Sequence, residues 1–268
     1  MNRIDAHFSR LRATGRKAFV PYITAGDPTL ARTRQLILAL ADAGADVIEL
    51  GVPFSDPLAD GKTNQASAER ALLQHVTLAQ VIALVADVRT AVSTPIVFYS
   101  YANLLCQYGF AKFARDAAAA GVDGVLVLDM PPEESAELHA ALQAEQLHMI
   151  FLVAPTSTPE RIRMICARAG GFIYYVSRTG VTGERSDVAA DLREHIALIR
   201  ACTTLPIAVG FGISTQAQVA EIAAVDDGVV VGSALVRRIG EGGDTDAMVA
   251  DVGALARALC APLAAGAA

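Results

Sequence analysis

The feature that most constrains this chain is an alternation that runs eight times along it: a short apolar or β-branched run, then a segment whose apolar positions recur at helical spacing. The runs lie at 18–24, 46–50, 95–99, 123–128, 148–153, 171–176, 206–209 and 228–231. The helical segments lie at 29–43, 78–91, 107–120, 133–145, 159–169, 187–201, 215–224 and 245–259. The runs are nearly continuous in apolar residues, the pattern of strands covered on both faces, and strands joined through helices pair in parallel. Eight such units predict an α/β fold, a closed (β/α)8 barrel of the TIM type. The rival, an open doubly wound sheet, usually has about five or six strands and no glycine signals after its last two. Two additions are expected: a helix at 4–14 that closes the barrel floor, and a short extra helix at 64–74 in the long gap after the second strand. At 268 residues and 53% hydrophobic the chain can build one large core, so 1–268 reads as a single domain with a frayed small-residue tail at 261–268.

Charge and composition then remove several functions. The first residues are polar and of both charge signs, and no stretch of about 18 uncharged apolar residues follows, so neither export nor membrane insertion is expected and the location reads as cytoplasmic. Cys106, Cys166, Cys202 and Cys260 are far apart with apolar neighbours, which reads as reduced structural thiols. His7, His75, His139, His148 and His195 show no ligand spacing, so no metal is expected. With a net charge of −6 and scattered basic residues there is no basic stripe for a nucleic-acid backbone. An anionic substrate would be held by backbone N–H groups and helix ends more than by cations.

In this architecture chemistry sits where the strands end. Glu49, in Asp46-Val47-Ile48-Glu49-Leu50, shares a face with Val47 and points either into the barrel or toward the helices. A carboxylate in either place is costly unless paired or used, so a structural salt bridge and a catalytic role both stand. The loop that follows, Gly51-Val52-Pro53-Phe54-Ser55-Asp56-Pro57-Leu58-Ala59-Asp60-Gly61, is stiffened by two prolines and returns a second carboxylate, Asp60, to the same mouth. Taken alone, Asp60 reads as the turn residue of an Asp-Gly pair. Across the barrel, Gly180-Val181-Thr182-Gly183, Gly210-Phe211-Gly212-Ile213-Ser214 and Gly232-Ser233 put small residues where backbone N–H groups can approach an anion, the last two ahead of helix N-termini. A lone glycine pair merely satisfies a turn, but three in this register suit the usual phosphate position of the fold. Asp129, at the end of the fourth run, is either another acid at the mouth or, the reading favoured, a capping or supporting residue in the loop 129–134 that leads into a proline-started helix; Asp27-Pro28 reads as an N-cap with proline at the first helical position. Tyr22, Tyr101, Tyr174 and Phe211 lie at or near strand ends, where they could wall a flat aromatic ligand or simply fill the core.

Taken together, 49–61, Ser177-Arg178-Thr179-Gly180-Val181-Thr182-Gly183 and Val209-Gly210-Phe211-Gly212-Ile213-Ser214 resemble the tryptophan synthase α-subunit family, and the likeness runs from about residue 4 to 259. The resemblance implies retro-aldol cleavage of indole-3-glycerol phosphate, with Glu49 as general acid/base and Asp60 as its carboxylate partner near the indole nitrogen. It implies that Tyr174 approaches the substrate and that Gly183, Gly212, Gly232 and Ser233 bind its phosphate. It also implies a β subunit as partner in an α2β2 assembly, with pyridoxal phosphate in that subunit and no cofactor in this one; residues 53–58 and Asn103 match the partner-facing pattern. The chain departs from the family after Gly61, with Lys62 and Asn64 where proline and an aliphatic residue are more usual.

Other readings remain open at this stage. A Schiff-base aldolase needs a strand-end lysine, and of Lys17, Lys62 and Lys112 only Lys62 lies near the mouth. A stand-alone indole-releasing lyase would keep both carboxylates and turn over well alone. A regulatory α-like subunit would tune its partner without turnover. The loops at 53–61 and 178–186 are candidate lids.

Overall fold

The computed structural model describes residues 2–177, 185–210 and 212–264, apart from the side chains of 185–191. In chain order the elements are α1 (Arg3–Ala13), β1 (Ala18–Thr24), α2 (Leu30–Asp42), β2 (Ile48–Gly51), α3 (Lys62–Leu73), α4 (Leu78–Val88), β3 (Ile96–Ser100), α5 (Ala102–Tyr108), α6 (Phe110–Ala120), β4 (Gly124–Val127), α7 (Ala136–Ala144), β5 (His148–Val153), α8 (Pro159–Arg168), β6 (Ile173–Val176), α9 (Arg185–Arg200), β7 (Ile207–Gly210), α10 (Gln216–Ala223), β8 (Gly228–Val231), α11 (Ser233–Gly242) and α12 (Asp246–Ala264). The strands pair in parallel in sequence order, and β8 closes on β1. The (β/α)8 barrel, its N-terminal helix and the extra helix after β2 are all present.

Alternate residues of each strand build two cores. Phe19, Ile23, Leu50, Phe98, Phe151 and Val209 face outward into the layer between sheet and helices. Val20, Val47, Val97, Leu126, Ile150, Phe172, Ala208 and Val230 fill the barrel, and Ile4, Phe8 and Leu11 of α1 join them from below. Fully burying an aromatic or aliphatic side chain of this size stabilises by about 1.5–3 kcal/mol, so α1 is a plug with its own driving force.

The floor is held by a repeated device. Asp46, Asp123 and Asp227 each lie just ahead of an even-numbered strand, and each accepts a backbone N–H from the first two residues of the neighbouring odd one: Phe19 at 2.8 Å, Ile96 at 2.8 Å and Ile207 at 2.9 Å. Their remaining bonds go to His7 for Asp46, to Arg3 and Arg89 for Asp123, and to Arg200 for Asp227. These carboxylates are structural, at the end of the barrel away from the strand C-termini.

The boundaries differ from expectation where one residue changes the local geometry. The helix expected over 107–120 is two, α5 and α6, because Gly109 adopts φ +87°, which no helix contains. An additional helix, α11, starts at Ser233, directly after β8. The expected frayed tail is helical as far as Ala264, with Pro262 inside α12. That helix is long and apolar enough to cross a membrane; here Met248, Val252, Ala256, Leu259 and Leu263 are buried, and the helix packs against α2, α10 and α11.

Asp27 is a correction. The N-cap of α2 is Thr29, whose side chain accepts the Arg32 N–H, while Asp27 is buried and receives both Nε and Nη2 of Arg70, at 2.8 and 2.7 Å. A full negative charge at that depth needs a cation, and Arg70 reaches it from α3, 43 residues further along the chain.

Candidate active site

Strand register decides where Glu49 points. Its partners are Tyr22 on β1 and Val97 on β3, and it shares a face with Val47, so it lies inside the barrel near the C-terminal rim. It is 1% exposed, and its Oε1 has no hydrogen-bond partner. Asp46 and Asp123, by contrast, are each supplied with a backbone donor and an ion-pair partner. Burial disfavours the charged form with nothing to offset it, which pushes the Glu49 carboxyl up to about 8.

Asp60 is brought to the same mouth by the loop between β2 and α3. Its Oδ1 accepts the Tyr99 hydroxyl at 2.8 Å and the Asn64 Nδ2 at 3.4 Å; its Oδ2 accepts the Tyr101 hydroxyl at 2.8 Å. The loop is fastened by Gln65, which donates to the Asp60 and Pro57 carbonyls, and by the Ala59 N–H, which donates to Tyr101. Phe54 packs against the Tyr101 ring, and Leu58 stands 92% exposed at the loop tip. Asp60 is therefore more than the turn residue that an Asp-Gly pair suggests.

Tyr174, on the interior face of β6, completes the cluster. Its hydroxyl sits over Gly210, where a Cβ would lie 2.4 Å away. Burial, and then the charges of Glu49, Tyr22 and Asp60, push this hydroxyl well above the usual tyrosine range. Tyr22 is similarly accommodated by Gly51, whose missing Cβ would sit 2.3 Å from the Tyr22 hydroxyl, and its ring meets Tyr99 edge-on at 4.8 Å. Glycines at the ends of β2 and β7 thus give two tyrosines room to face the two carboxylates.

The anion side is formed at the opposite rim. Gly212 has φ +71° and open space at its Cβ position, and Gly232 is the N-cap of α11 with no side-chain cap bond. Ser233 is the first residue of that helix, so its hydroxyl and the first-turn N–H groups stand where an anion is favoured. The N-terminus of α10 is already used: Gln218 Oε1 accepts the N–H groups of Ser214 and Thr215 at 2.9 and 3.1 Å. Of the two helix ends expected to attract an anion, α11 is the one left without a side-chain cap. Gly180, Gly183, the 178–184 part of the second candidate lid and Phe211 lie outside the described residues.

Asp129 accepts the Ala102 N–H at the start of α5, at 2.8 Å, rather than capping the helix that follows it in the chain, whose N-cap is Ser135. Sequence reasoning missed Tyr99 as a partner of Asp60, although its two-residue spacing from Tyr101 placed both hydroxyls on one side of β3. It noted Asn64 only as a departure. Lys62 opens α3 rather than ending a strand. Among the described residues no group of three or more His, Cys, Asp or Glu is arranged to hold a metal ion.

A family model for the tryptophan synthase alpha chain matches residues 8–262 of this sequence. The chain belongs to the tryptophan synthase alpha chain family. The alpha chain of Geobacter sulfurreducens is 54% identical over 237 residues, 88% of this chain and 90% of its own length. That of Opitutus terrae is 50% identical over 262 residues, 97% of this chain and 98% of its own. Among solved structures, tryptophan synthase subunit alpha from Legionella pneumophila superposes with a TM-score of 0.91 at 37% identity, covering 98% of this chain and 99% of that one. The aminoacrylate-bound tryptophan synthase of M. tuberculosis gives 0.88 at 35% identity, covering 98% and 100%. As an alpha chain of tryptophan synthase this protein is a carbon–carbon lyase of tryptophan biosynthesis, which cleaves indole-3-glycerol phosphate to indole and glyceraldehyde 3-phosphate.

Proposed function

We propose that Glu49 is the general acid and then the general base of this cleavage, and that Asp60 accepts the indole N–H. The observation that carries the reading is the buried Glu49 carboxyl, without a partner at Oε1 and pushed up to about 8, so that it holds its proton at neutral pH. Neutral Glu49 gives that proton to indole C3, and the ring becomes iminium-like. The Asp60 carboxylate, bonded to the ring N–H, offsets the new positive charge. Glu49, now a carboxylate, takes the proton of the side-chain hydroxyl next to C3. The carbon–carbon bond breaks, its electrons return to the ring, and indole leaves beside the aldehyde of glyceraldehyde 3-phosphate. Glu49 ends protonated, ready for another turn.

Tyr174 lines the substrate at the mouth, and the phosphate is held by backbone N–H groups at Gly183, Gly212 and Gly232 with the Ser233 hydroxyl and the α11 dipole. The partner is a tryptophan synthase β subunit, which carries pyridoxal phosphate and receives the indole in an α2β2 assembly of the cytoplasm. The docking face is the 53–58 loop with Asn103, where an exposed Leu58 offers apolar surface. Because that loop leads straight to Asp60, docking and cleavage share one element.

Indole release from indole-3-glycerol phosphate, followed for wild type and Glu49→Gln with and without β subunit, tests the reading. Slow release by the wild type, accelerated by the partner and reduced at least about a thousandfold by the substitution, is the expected result. Glu49→Gln that keeps wild-type rates removes Glu49 from the mechanism, and wild-type release that is fast and indifferent to the partner makes this a stand-alone lyase.

A further inference from the structure

We propose that Tyr99, with Asn64 beside it, is a positioning residue for the cleavage: its hydroxyl fixes the Asp60 carboxylate in the orientation from which it meets the indole N–H. The proposal rests on the role given to Asp60 above. A carboxylate offers roughly four lone-pair directions, and three are taken by Tyr99, Tyr101 and Asn64, which leaves about one for a ligand. The Tyr101 hydroxyl is shared with the Ala59 N–H and so also anchors the loop, whereas the bond from Tyr99 serves Asp60.

Tyr99 is itself held in place. Its ring meets the edge of Tyr22 at 4.8 Å. Tyr22 is linked through its hydroxyl to Thr24 at 3.2 Å, Thr24 to Ser67 at 2.6 Å, and Ser67 donates to the Asn64 carbonyl at 2.8 Å. Asn64 then reaches Asp60 with its amide. The contacts close a ring through β1, α3, the loop and β3, so the carboxylate cannot rotate without breaking it.

Neutral donors suit the task better than a cation. Among the described residues no Lys, Arg or His pairs with Asp60, and the ionisable groups that face it are Tyr22 from β1, Tyr99 and Tyr101 from β3 and its end, and Tyr174 from β6. Glu49 faces Tyr22 and Tyr174 in the same mouth. Hydroxyl and amide donors orient the carboxylate without bringing a positive charge of their own beside the iminium-like ring.

The test is the steady-state kinetics of indole release, kcat and KM taken separately, by this chain with β subunit, in wild type, Tyr99→Phe, Asn64→Leu and Asp60→Asn. Tyr99→Phe keeps the ring and removes one donor to the carboxylate. The expected result is a fall in kcat of about tenfold with KM within about twofold. Asn64→Leu lowers kcat in the same way by less, and serves alone if Tyr99→Phe does not fold. A kcat within about twofold of wild type in the folded variants while Asp60→Asn is inactive overturns the positioning role and leaves the Asp60 assignment standing. Asp60→Asn that keeps the wild-type rate removes both.

Discussion

The two carboxylates at the mouth of this barrel are handled in opposite ways. Glu49 is buried beside aromatic rings, and among the described residues no cation pairs with it, whereas Asp60 is half-buried and supplied with donors on both oxygens. The burial of Glu49 has a consequence for stability. Between its ordinary value of 4.5 and about 8 the folded chain keeps a proton that the unfolded chain has lost, so stability falls as pH rises across that window. Glu49→Gln removes this dependence. The variant should match wild type near about pH 5 and exceed it at about pH 9, by on the order of 5 kcal/mol at most, read from urea midpoints at the two pH values. A difference that does not change with pH contradicts the burial argument. Glu49 was legible in the sequence as a carboxylate at a strand end, but its direction was not, because period two allows either face until the register with Tyr22 and Val97 is known. Asp27 misled for a related reason: next to a proline it resembles a cap, and its partner Arg70 is remote in the chain.

At the level of elements, the even-numbered strands β2, β4 and β8 are each entered through an aspartate that fastens the neighbouring strand. Asp123 carries the largest share, since it joins the Ile96 N–H, Arg89 and Arg3 while 2% exposed. Asp123→Ala leaves the largely buried Arg89 guanidinium and a strand N–H without their acceptor. It should cost about 3–5 kcal/mol in urea unfolding, with kcat/KM of the folded fraction within about twofold of wild type. Loss of kcat/KM in folded protein would place this floor residue in the chemistry instead. The alternation of strands and helices was readable almost throughout because apolar periodicity is a local property. The break at Gly109 was not, since one glycine is compatible with a helix until its φ is seen, and α11 was legible only as a helix start after Gly232-Ser233, without an extent of its own.

The whole molecule divides its work between two ends. Beneath, α1 and the aspartates close the barrel; above, the strand ends hold Glu49, a second carboxylate bound by two tyrosine hydroxyls and a helix N-terminus without a side-chain cap. The closed barrel is what makes the buried acid possible, because its interior keeps the Glu49 carboxyl away from water. The central claim is therefore that the barrel interior holds Glu49 protonated at neutral pH. Carbon-13 NMR of the chain labelled at the glutamate carboxyl carbon, with Glu49→Gln to assign the resonance, measures this directly. A titration centred at about 8 is the predicted result; a midpoint at the ordinary 4.5 would contradict it and leave the first proton transfer without a donor.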